Sequence, residues 1–288
     1  MTKSQSIARG AFYIVASELS FAISAAIIKL VSVSLPNESI VFFRNLFGLV
    51  ILAPLLIKAG TNILQTDRLH LHLMRGGFGM AAMYSFFYAL GHIALGDSML
   101  IKSTIPLIIP FVCLIWLKEN ITQRVTIAGF LGFVGVFLIL KPDGDTDWAS
   151  LVALGSSFMA ALAFVTVRKL SATEPTLRIV AYFAMCGLCI SSIPLIWKWQ
   201  TPTLSEYLLL MGVGLTTTIG QLLLTRGYQN APASSVGIFT YTSVPFGTFL
   251  GWLLWGDLLD KNSLFGAVLI VLAGSIILKS RVVSKIPE

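Results

Sequence analysis

Charged residues are scarce in this sequence: Asp, Glu, Lys and Arg make up only 11% of its 288 residues, against roughly 25% in an ordinary soluble domain. Apolar residues account for 56%, and the mean hydropathy is +0.86. A soluble protein of this composition would expose large apolar patches to water. Ten membrane spans of about 20 residues would instead use roughly 200 positions, so the composition predicts a polytopic membrane protein.

Cysteines, histidines and catalytic motifs are also rare. Three cysteines cannot build a disulfide framework, and Cys186 and Cys189 lie inside an apolar run, where we expect them only to pack. His70 and His72 alone make a poor metal site. The net charge of +7 is scattered between apolar runs, not clustered as a nucleic-acid surface requires. With no catalytic or phosphate-binding motif, the sequence predicts no enzyme, cofactor, metal or nucleic-acid partner.

Ten apolar runs follow one another along the chain, and most have the length of about 17–25 residues that crosses a hydrocarbon core as a helix. Alternating ten-residue strands, which are typical of membrane barrels, do not occur. The runs cover residues 10–31, 39–57, 73–91, 97–117, 125–140, 148–168, 177–196, 206–225, 234–255 and 263–279. The pattern predicts an all-α protein with ten transmembrane helices.

The placement of lysine and arginine predicts the orientation. If the N-terminus is cytoplasmic, fourteen of these residues fall on its side and four on the other, and Arg44 and Lys102 lie within spans. The fourteen are Lys3, Arg9, Lys58, Arg68, Arg75, Lys118, Arg124, Arg168, Lys169, Arg178, Arg226, Lys279, Arg281 and Lys285; the four are Lys29, Lys141, Lys198 and Lys261. Cytoplasmic loops are enriched in such residues, so both termini are predicted to be cytoplasmic.

The chain divides into two halves, residues 1–142 and 143–288, with five runs in each. Several features recur at a separation of about 137–139 residues: a cation ends the first run of each half, the fourth runs contain Pro106 and Pro245, and the fifth runs end in Ile-Leu-Lys. Because each half has an odd number of spans, the second copy enters the membrane inverted. This predicts two inverted five-helix repeats, which are common in secondary transporters.

Matching motifs occur in both halves. The first half contains the segment 88–98 (YALGHIALGDS), Pro106, Leu117-Lys-Glu119, and glycines at Gly129 and Gly135; the second contains the segment 226–235 (RGYQNAPASS), Pro245, Gly256-Asp257, and glycines at Gly266 and Gly274. Together with Phe42-Phe-Arg-Asn45 in the second run, they resemble the EamA-type domain of the drug/metabolite transporter superfamily. The resemblance covers almost the whole chain.

The resemblance implies ten helices in two inverted repeats, with the first four helices of each repeat around a cavity and the fifth helices at the periphery. It also implies an exporter or exchanger of small metabolites in a bacterial inner membrane. Because the superfamily handles amino acids, nucleotide-sugars, cofactors and drugs, the resemblance does not name the cargo.

Charged groups inside the spans are the first candidates for substrate binding, since they are costly in lipid. Lys102 lies about 8 Å along its span, and Arg44 lies at a comparable depth in another. Two cations at one level favour an anionic or carboxylate-bearing cargo, unless each has a private counter-ion. Glu18 lies about 12 Å from the cytoplasmic end of its span. It could be a proton-coupling group, the salt-bridge partner of Lys102, or a ligand for a substrate amine.

Polar and aromatic positions in other spans extend this list of substrate-binding candidates. They are Tyr84 and Tyr88 on the third run, Gln221 in a threonine-containing polar stripe on the eighth, and Tyr241 on the ninth, near the repeat equivalent of Lys102. Threonines in such stripes often bond their own backbone carbonyls. Pro106 and Pro245 are candidate hinges, because proline interrupts helical hydrogen bonding, although they could also simply bend the helices.

The sequence therefore predicts an integral membrane transporter that moves a small polar metabolite by alternating access around a central cavity. Coupling to protons or to an exchange substrate remains open, as do direction and oligomeric state. A lipid or lipid-head-group translocase is the main alternative. A channel is less favoured because inverted repeats suit alternating access, and an intramembrane enzyme is less favoured because Glu18 has no second carboxylate at its depth.

Overall fold

Helices make up nearly all of the computed structural model, which describes residues 7–117, 123–140, 148–230, 237–257 and 260–279; no strand occurs among them. The α-helices are α1 (Ile7–Val31), α2 (Asn37–Ala59), α3 (Leu69–His92), α4 (Leu95–Lys102), α5 (Ile105–Leu117), α6 (Gln123–Leu140), α7 (Trp148–Leu170), α8 (Thr176–Ser192), α9 (Leu195–Lys198), α10 (Leu204–Asn230), α11 (Ser243–Trp255) and α12 (Lys261–Lys279). Short 3-10 helices cover Thr61–Leu64 and Gly237–Thr242. The two terminal segments, the predicted motif residue Glu119 and residues 142–147 and 231–235 lie outside the described residues.

Five segments of the described chain are long and apolar enough to cross a membrane, judged by length and composition. They are Ala8–Val31, Asn37–Ala59, Leu95–Trp116, Trp148–Leu170 and Leu204–Asn230. Thr176–Ser192 and Lys261–Ala273 are shorter apolar helices. The prediction of an all-helical chain with several membrane spans is therefore confirmed for the described residues.

Two of the predicted spans are discontinuous just before a proline. The run at 97–117 was expected to form one helix, but α4 ends at Lys102 and α5 begins at Ile105, so that Pro106 lies in the first turn of α5. Likewise, the 3-10 helix Gly237–Thr242 precedes α11, whose first turn contains Pro245. Proline is tolerated in a first helical turn because its missing N–H would have no intrahelical partner there. Each proline therefore follows a short interruption of the α-helical hydrogen bonding, where Ser103 and Thr242 keep right-handed helical backbone angles.

The packing of the helices leaves a central space. Helix α1 packs against α10 and α3 packs against α7, while α4 meets α11 and α2 contacts both α8 and α10. Helices α6 and α12 pack chiefly against each other, and a Cβ on Gly135 would lie only 2.8 Å from the carbonyl oxygen of Gly266. Such close backbone contact requires small residues. The remaining helices surround the middle of the bundle.

Side chains tie the loops together at one end of the bundle, which we call the N-terminal face and define by loop residues 60–68 and 171–175. Tyr182 donates to the carbonyl of Leu64 (2.7 Å), and Thr66 donates to Glu174 (2.7 Å). Glu174 also forms an ion pair with Arg178. Burial alone would raise the pKa of Glu174, but the hydrogen bonds from Thr66 and Arg178 and the charge of Arg178 outweigh it, so its pKa lies below the ordinary value.

A second set of contacts lies at the opposite face, which we define by loop residues 32–36, 93–94 and 199–203. The Lys29 ammonium donates to the carbonyl of Ile93 at 2.7 Å and lies 3.9 Å from an Asp257 carboxylate oxygen. It also lies 5.4 Å from the centre of the Trp255 ring. Lys29 therefore connects the end of α1 with the start of α4 and the end of α11.

Candidate functional site

A cavity of about 150 Å³ lies at the centre of the bundle, between α1, α2, α3, α4, α5, α7, α8 and α10. Most of its lining is apolar, and it includes the phenylalanines Phe21, Phe86, Phe87, Phe164 and Phe183. Four charged side chains also reach it: Glu18, Arg44, Arg75 and Lys102. A mostly apolar cavity with a few convergent polar groups is the usual form of a small-molecule site.

Glu18 and Lys102 form an ion pair across this cavity. The Lys102 ammonium lies 2.8 Å from a Glu18 carboxylate oxygen, and the two side chains are 19% and 4% exposed, respectively. The ammonium is also 5.0 Å from the centre of the Phe21 ring. Of the three roles left open for Glu18, the structure contains the salt bridge with Lys102, so this lysine does have a private counter-ion.

Arg44 on α2 and Arg75 on α3 are buried against the same aromatic ring. Their guanidinium carbons lie 5.2 Å and 3.9 Å from the centre of the Phe183 ring. Arg44 donates to the side-chain oxygen of Asn45 at 2.7 Å, and Arg75 donates to that of Gln221 at 3.3 Å. The two arginines are only 6% and 4% exposed. They therefore form a desolvated cationic site inside the cavity.

Neither arginine has its charge neutralised by the side chains described. Within the described ranges, no ion pair joins Arg44 or Arg75 to a carboxylate, and the Nε atoms of both are buried without a hydrogen-bond partner. A buried charge without a partner is strongly unfavourable. Both guanidinium groups therefore keep a buried donor without a partner and a positive charge that no described carboxylate pairs with.

The distribution of lysine and arginine places Arg75 with the cytoplasmic residues, but the structure places it in the cavity lining. A Cβ on Gly79 would lie 2.1 Å from Arg75 Nη1, so the glycine one turn later leaves the space that the guanidinium occupies. Side chains four positions apart share a helix face. The sequence signal for the inward position of Arg75 is therefore the glycine four residues later, which leaves room for the arginine side chain.

The three tyrosines proposed from the sequence do not line the cavity in the part of the chain that the structure describes. Tyr84 packs at the margin of the apolar core, Tyr88 stacks on His92 with ring centres 4.1 Å apart, and Tyr241 is buried in a separate apolar cluster. Their contact with substrate stays a prediction that this arrangement does not favour. Gln221, by contrast, reaches both the cavity and Arg75.

The candidate hinge Pro106 directly follows Ile105, which lines the cavity, whereas Pro245 is not among the described lining residues. The hydroxyls of Ser103, in the break before Pro106, and Ser243, at the break before Pro245, lie 3.4 Å apart. The two interrupted helices thus meet at their breaks.

Among the described residues no group of three or more His, Cys, Asp or Glu side chains could hold a metal ion.

Together, the all-helical membrane fold and the central cavity with its buried charges define a multi-pass membrane transporter. Comparison with known proteins identifies the family. The model of the EamA-like transporter family matches residues 8–141 and 147–279, and the chain belongs to that family. It is an integral inner-membrane protein that transports small metabolites and is not an enzyme.

Similar transporters have different cargoes. The pseudopaline exporter CntI of Pseudomonas aeruginosa is 32% identical over 268 residues, covering 92% of this chain and 94% of that protein. A riboflavin transporter of Vibrio cholerae is 27% identical over 271 residues, covering 92% and 91%. An S-adenosylmethionine uptake transporter of Rickettsia bellii is 27% identical over 255 residues, covering 88% and 87%. A protein of known crystal structure shares the fold, with a TM-score of 0.69 at 16% identity over 94% of this chain and 96% of that one.

Proposed function

We propose that this protein is a secondary transporter of a small anionic or carboxylate-bearing metabolite, which it moves by alternating access around the central cavity. The observation that carries the proposal is the pair of buried arginines without a carboxylate partner in the described chain. Glu18 and Lys102 neutralise each other, so Arg44 and Arg75 leave the cavity with two positive charges. A cargo with two negative groups would neutralise both charges, and a monoanion would neutralise one of them.

The chemistry of the lining supports an organic anion. Guanidinium groups bind carboxylates with two parallel hydrogen bonds, and each arginine retains a buried Nε donor without a partner. The phenylalanines around them suit the carbon skeleton of a metabolite and exclude water, which strengthens the attraction between charges. We therefore expect the cargo to place its carboxylates at Arg44 and Arg75 and its apolar part against Phe183.

We further propose ten transmembrane helices arranged as two inverted repeats, residues 1–142 and 143–288, with both termini in the cytoplasm. The helix contacts support this arrangement. Helices α1 and α7 hold equivalent places in the two halves, as do α3 and α10, and the contact of α1 with α10 has its counterpart in the contact of α7 with α3. Helices α4 and α11 are equivalent to each other, as are α6 and α12, and the two members of each pair are in contact. Inverted repeats allow the two halves to exchange conformations, which opens the cavity alternately to each side.

Topology can be tested by labelling in intact cells. Tags on both termini should be reached only after the inner membrane is permeabilised, whereas a cysteine introduced at residue 144 should be labelled from outside. A C-terminal tag that is labelled in intact cells would contradict the proposed number of spans.

The cargo class can be tested with purified protein in liposomes. We expect mono- and dicarboxylates to be bound and transported in preference to neutral or cationic compounds of similar size. Arg44→Gln and Arg75→Gln should each weaken anion binding by at least tenfold, while Arg168→Gln, at an exposed position on α7, should bind as the wild type does. Wild-type anion binding by both Arg44→Gln and Arg75→Gln, or tighter binding of a cationic compound than of the carboxylates, would refute the anionic cargo.

Direction and coupling are testable in the same liposomes. We propose export or exchange, and the similarity to the pseudopaline exporter supports export. Anion loaded inside should leave faster when a proton gradient or a counter-substrate is imposed. Transport that runs at the same rate with neither would indicate uncoupled, facilitated movement.

A further inference from the structure

A second cavity, of about 510 Å³, lies near the N-terminal face between α1, α2, α8 and α10. It shares no lining residue with the central cavity. Its polar lining includes Lys58, Arg226, Thr176 and Gln229, and Thr176 donates to the Gln229 side-chain oxygen at 2.6 Å. The cavity is therefore a separate feature, built at the ends of helices from both halves of the chain.

The lining of this cavity changes from apolar to cationic along the helices. On α2, Leu55 lies three residues before Lys58, and on α10, Leu222 lies four residues before Arg226. These spacings place the leucines about 4.5–6 Å further from the N-terminal face, measured along the helices, than the cations. Leu177 adds a third apolar contact. The cavity therefore has an apolar base and a cationic rim at the level where helices end.

The charge of the lining selects for an anion. The described lining contains two cations and no carboxylate. The 17-residue helix α8 also begins at Thr176, and the first turn of a helix presents unpaired N–H groups that favour negative charge. Lys58 and Arg226 are exposed, so they remain available to a ligand that approaches from the membrane surface.

We propose that this cavity binds an anionic phospholipid, with the phosphodiester between Lys58 and Arg226 and an acyl chain against Leu55 and Leu222. A free phosphate ion would contact only the cationic rim. A phospholipid would contact both parts of the lining, because its charged head group matches the rim and its acyl chain matches the apolar base. Basic cavities between transmembrane helices near a membrane surface are typical sites for such head groups. The bound lipid would bridge the two halves of the chain.

The test uses the full-length protein purified in detergent, with phosphatidylglycerol as the anionic lipid and phosphatidylcholine as the neutral one. Native mass spectrometry should show phosphatidylglycerol retained in preference to phosphatidylcholine, and phosphatidylglycerol should raise the melting temperature more. Lys58→Gln and Arg226→Gln should each reduce its affinity roughly fivefold, and the double variant roughly thirtyfold. Arg168→Gln and Lys198→Gln, both at exposed positions, should leave it unchanged.

Three outcomes would overturn the proposal. Equal retention of the two lipids by the wild type would show that head-group charge is not recognised, and this comparison does not depend on any variant folding. Unchanged affinity in a folded double variant would place the lipid elsewhere. Stabilisation by inorganic phosphate equal to that by phosphatidylglycerol would indicate a site for the free ion.

Discussion

Breaking the ion pair between Glu18 and Lys102 is the most direct test of the charge arrangement in the cavity. At 2.8 Å and an effective dielectric constant of about 20, the two charges attract each other by about 6 kcal/mol, much of which offsets their desolvation. Removing one partner strands the other, which costs about 3–5 kcal/mol at buried sites. We expect about 3 kcal/mol for Glu18→Gln, since the remaining Lys102 is 19% exposed, and about 5 kcal/mol for Lys102→Met, since the remaining Glu18 is only 4% exposed.

Thermal unfolding of the purified protein, followed by tryptophan fluorescence, provides the assay. A loss of 3–5 kcal/mol corresponds to a decrease in melting temperature of roughly 6–10 °C for a chain of this length. The double variant Glu18→Gln/Lys102→Met leaves no charge stranded and should recover most of that decrease, as replaced buried pairs often do. Arg168→Gln serves as a control and should stay within about 1 °C. If the double variant were less stable than both single variants, the two side chains would not be acting as a pair.

Three further predictions follow from single contacts. Because the pKa of Glu174 is lowered in the folded protein, its stabilisation is present above the unfolded pKa of about 4.3 and is lost as the pH falls through the folded value. Glu174→Gln should therefore cost about 1–3 kcal/mol at pH 7 and progressively less below about pH 4 in pH-dependent melting curves; a constant difference would contradict the shift. Gly79→Ala should displace the Arg75 guanidinium, because the added Cβ would lie 2.1 Å from its Nη1 atom. Calorimetry should then show anion binding weakened at least fivefold, and an unchanged affinity would mean that Arg75 does not contact the cargo. Pro106→Ala and Pro245→Ala should slow transport in liposomes severalfold while leaving the dissociation constant unchanged, whereas an equal effect on both quantities would argue against hinges.

The helices could be predicted from the sequence because the signals that specify them are local. The run predicted at 10–31 corresponds to α1, Ile7–Val31, and the run at 148–168 corresponds to α7, Trp148–Leu170. Apolar length and flanking turn residues determine such segments almost alone. The break before Pro106 was harder to predict, since proline bends some membrane helices and interrupts others.

The cavity could be predicted only in part, because it depends on how helices face one another. The depth of Glu18 and Lys102 made their pairing one of three alternatives, but depth alone does not specify which side of α1 faces α4. Arg75 lies near the start of its run, where the sequence pattern groups it with the loop cations; its contacts with Phe183 and Gln221, 108 and 146 positions later in the chain, hold it inside. Tyr241 lies near the repeat equivalent of Lys102 but packs into an apolar cluster, so equivalent positions in the two halves need not share a role.

The lining of the cavity is divided between the two halves of the chain, and on the proposed function this division would link the charge of the cargo to helix movement. Arg44 and Arg75 lie on α2 and α3, whereas Phe183 and Gln221, which contact them, lie on α8 and α10. An anion bound by both arginines would reduce the repulsion between their charges. It would also replace part of the stabilisation that the ring of Phe183 and the side-chain oxygen of Gln221 give them. A ligand shifts a conformational equilibrium only by its difference in affinity for the two states. We therefore expect an anion to favour separation of these contacts and a neutral compound to leave them unchanged, so that the same side chains determine both the charge selectivity and the opening of the cavity.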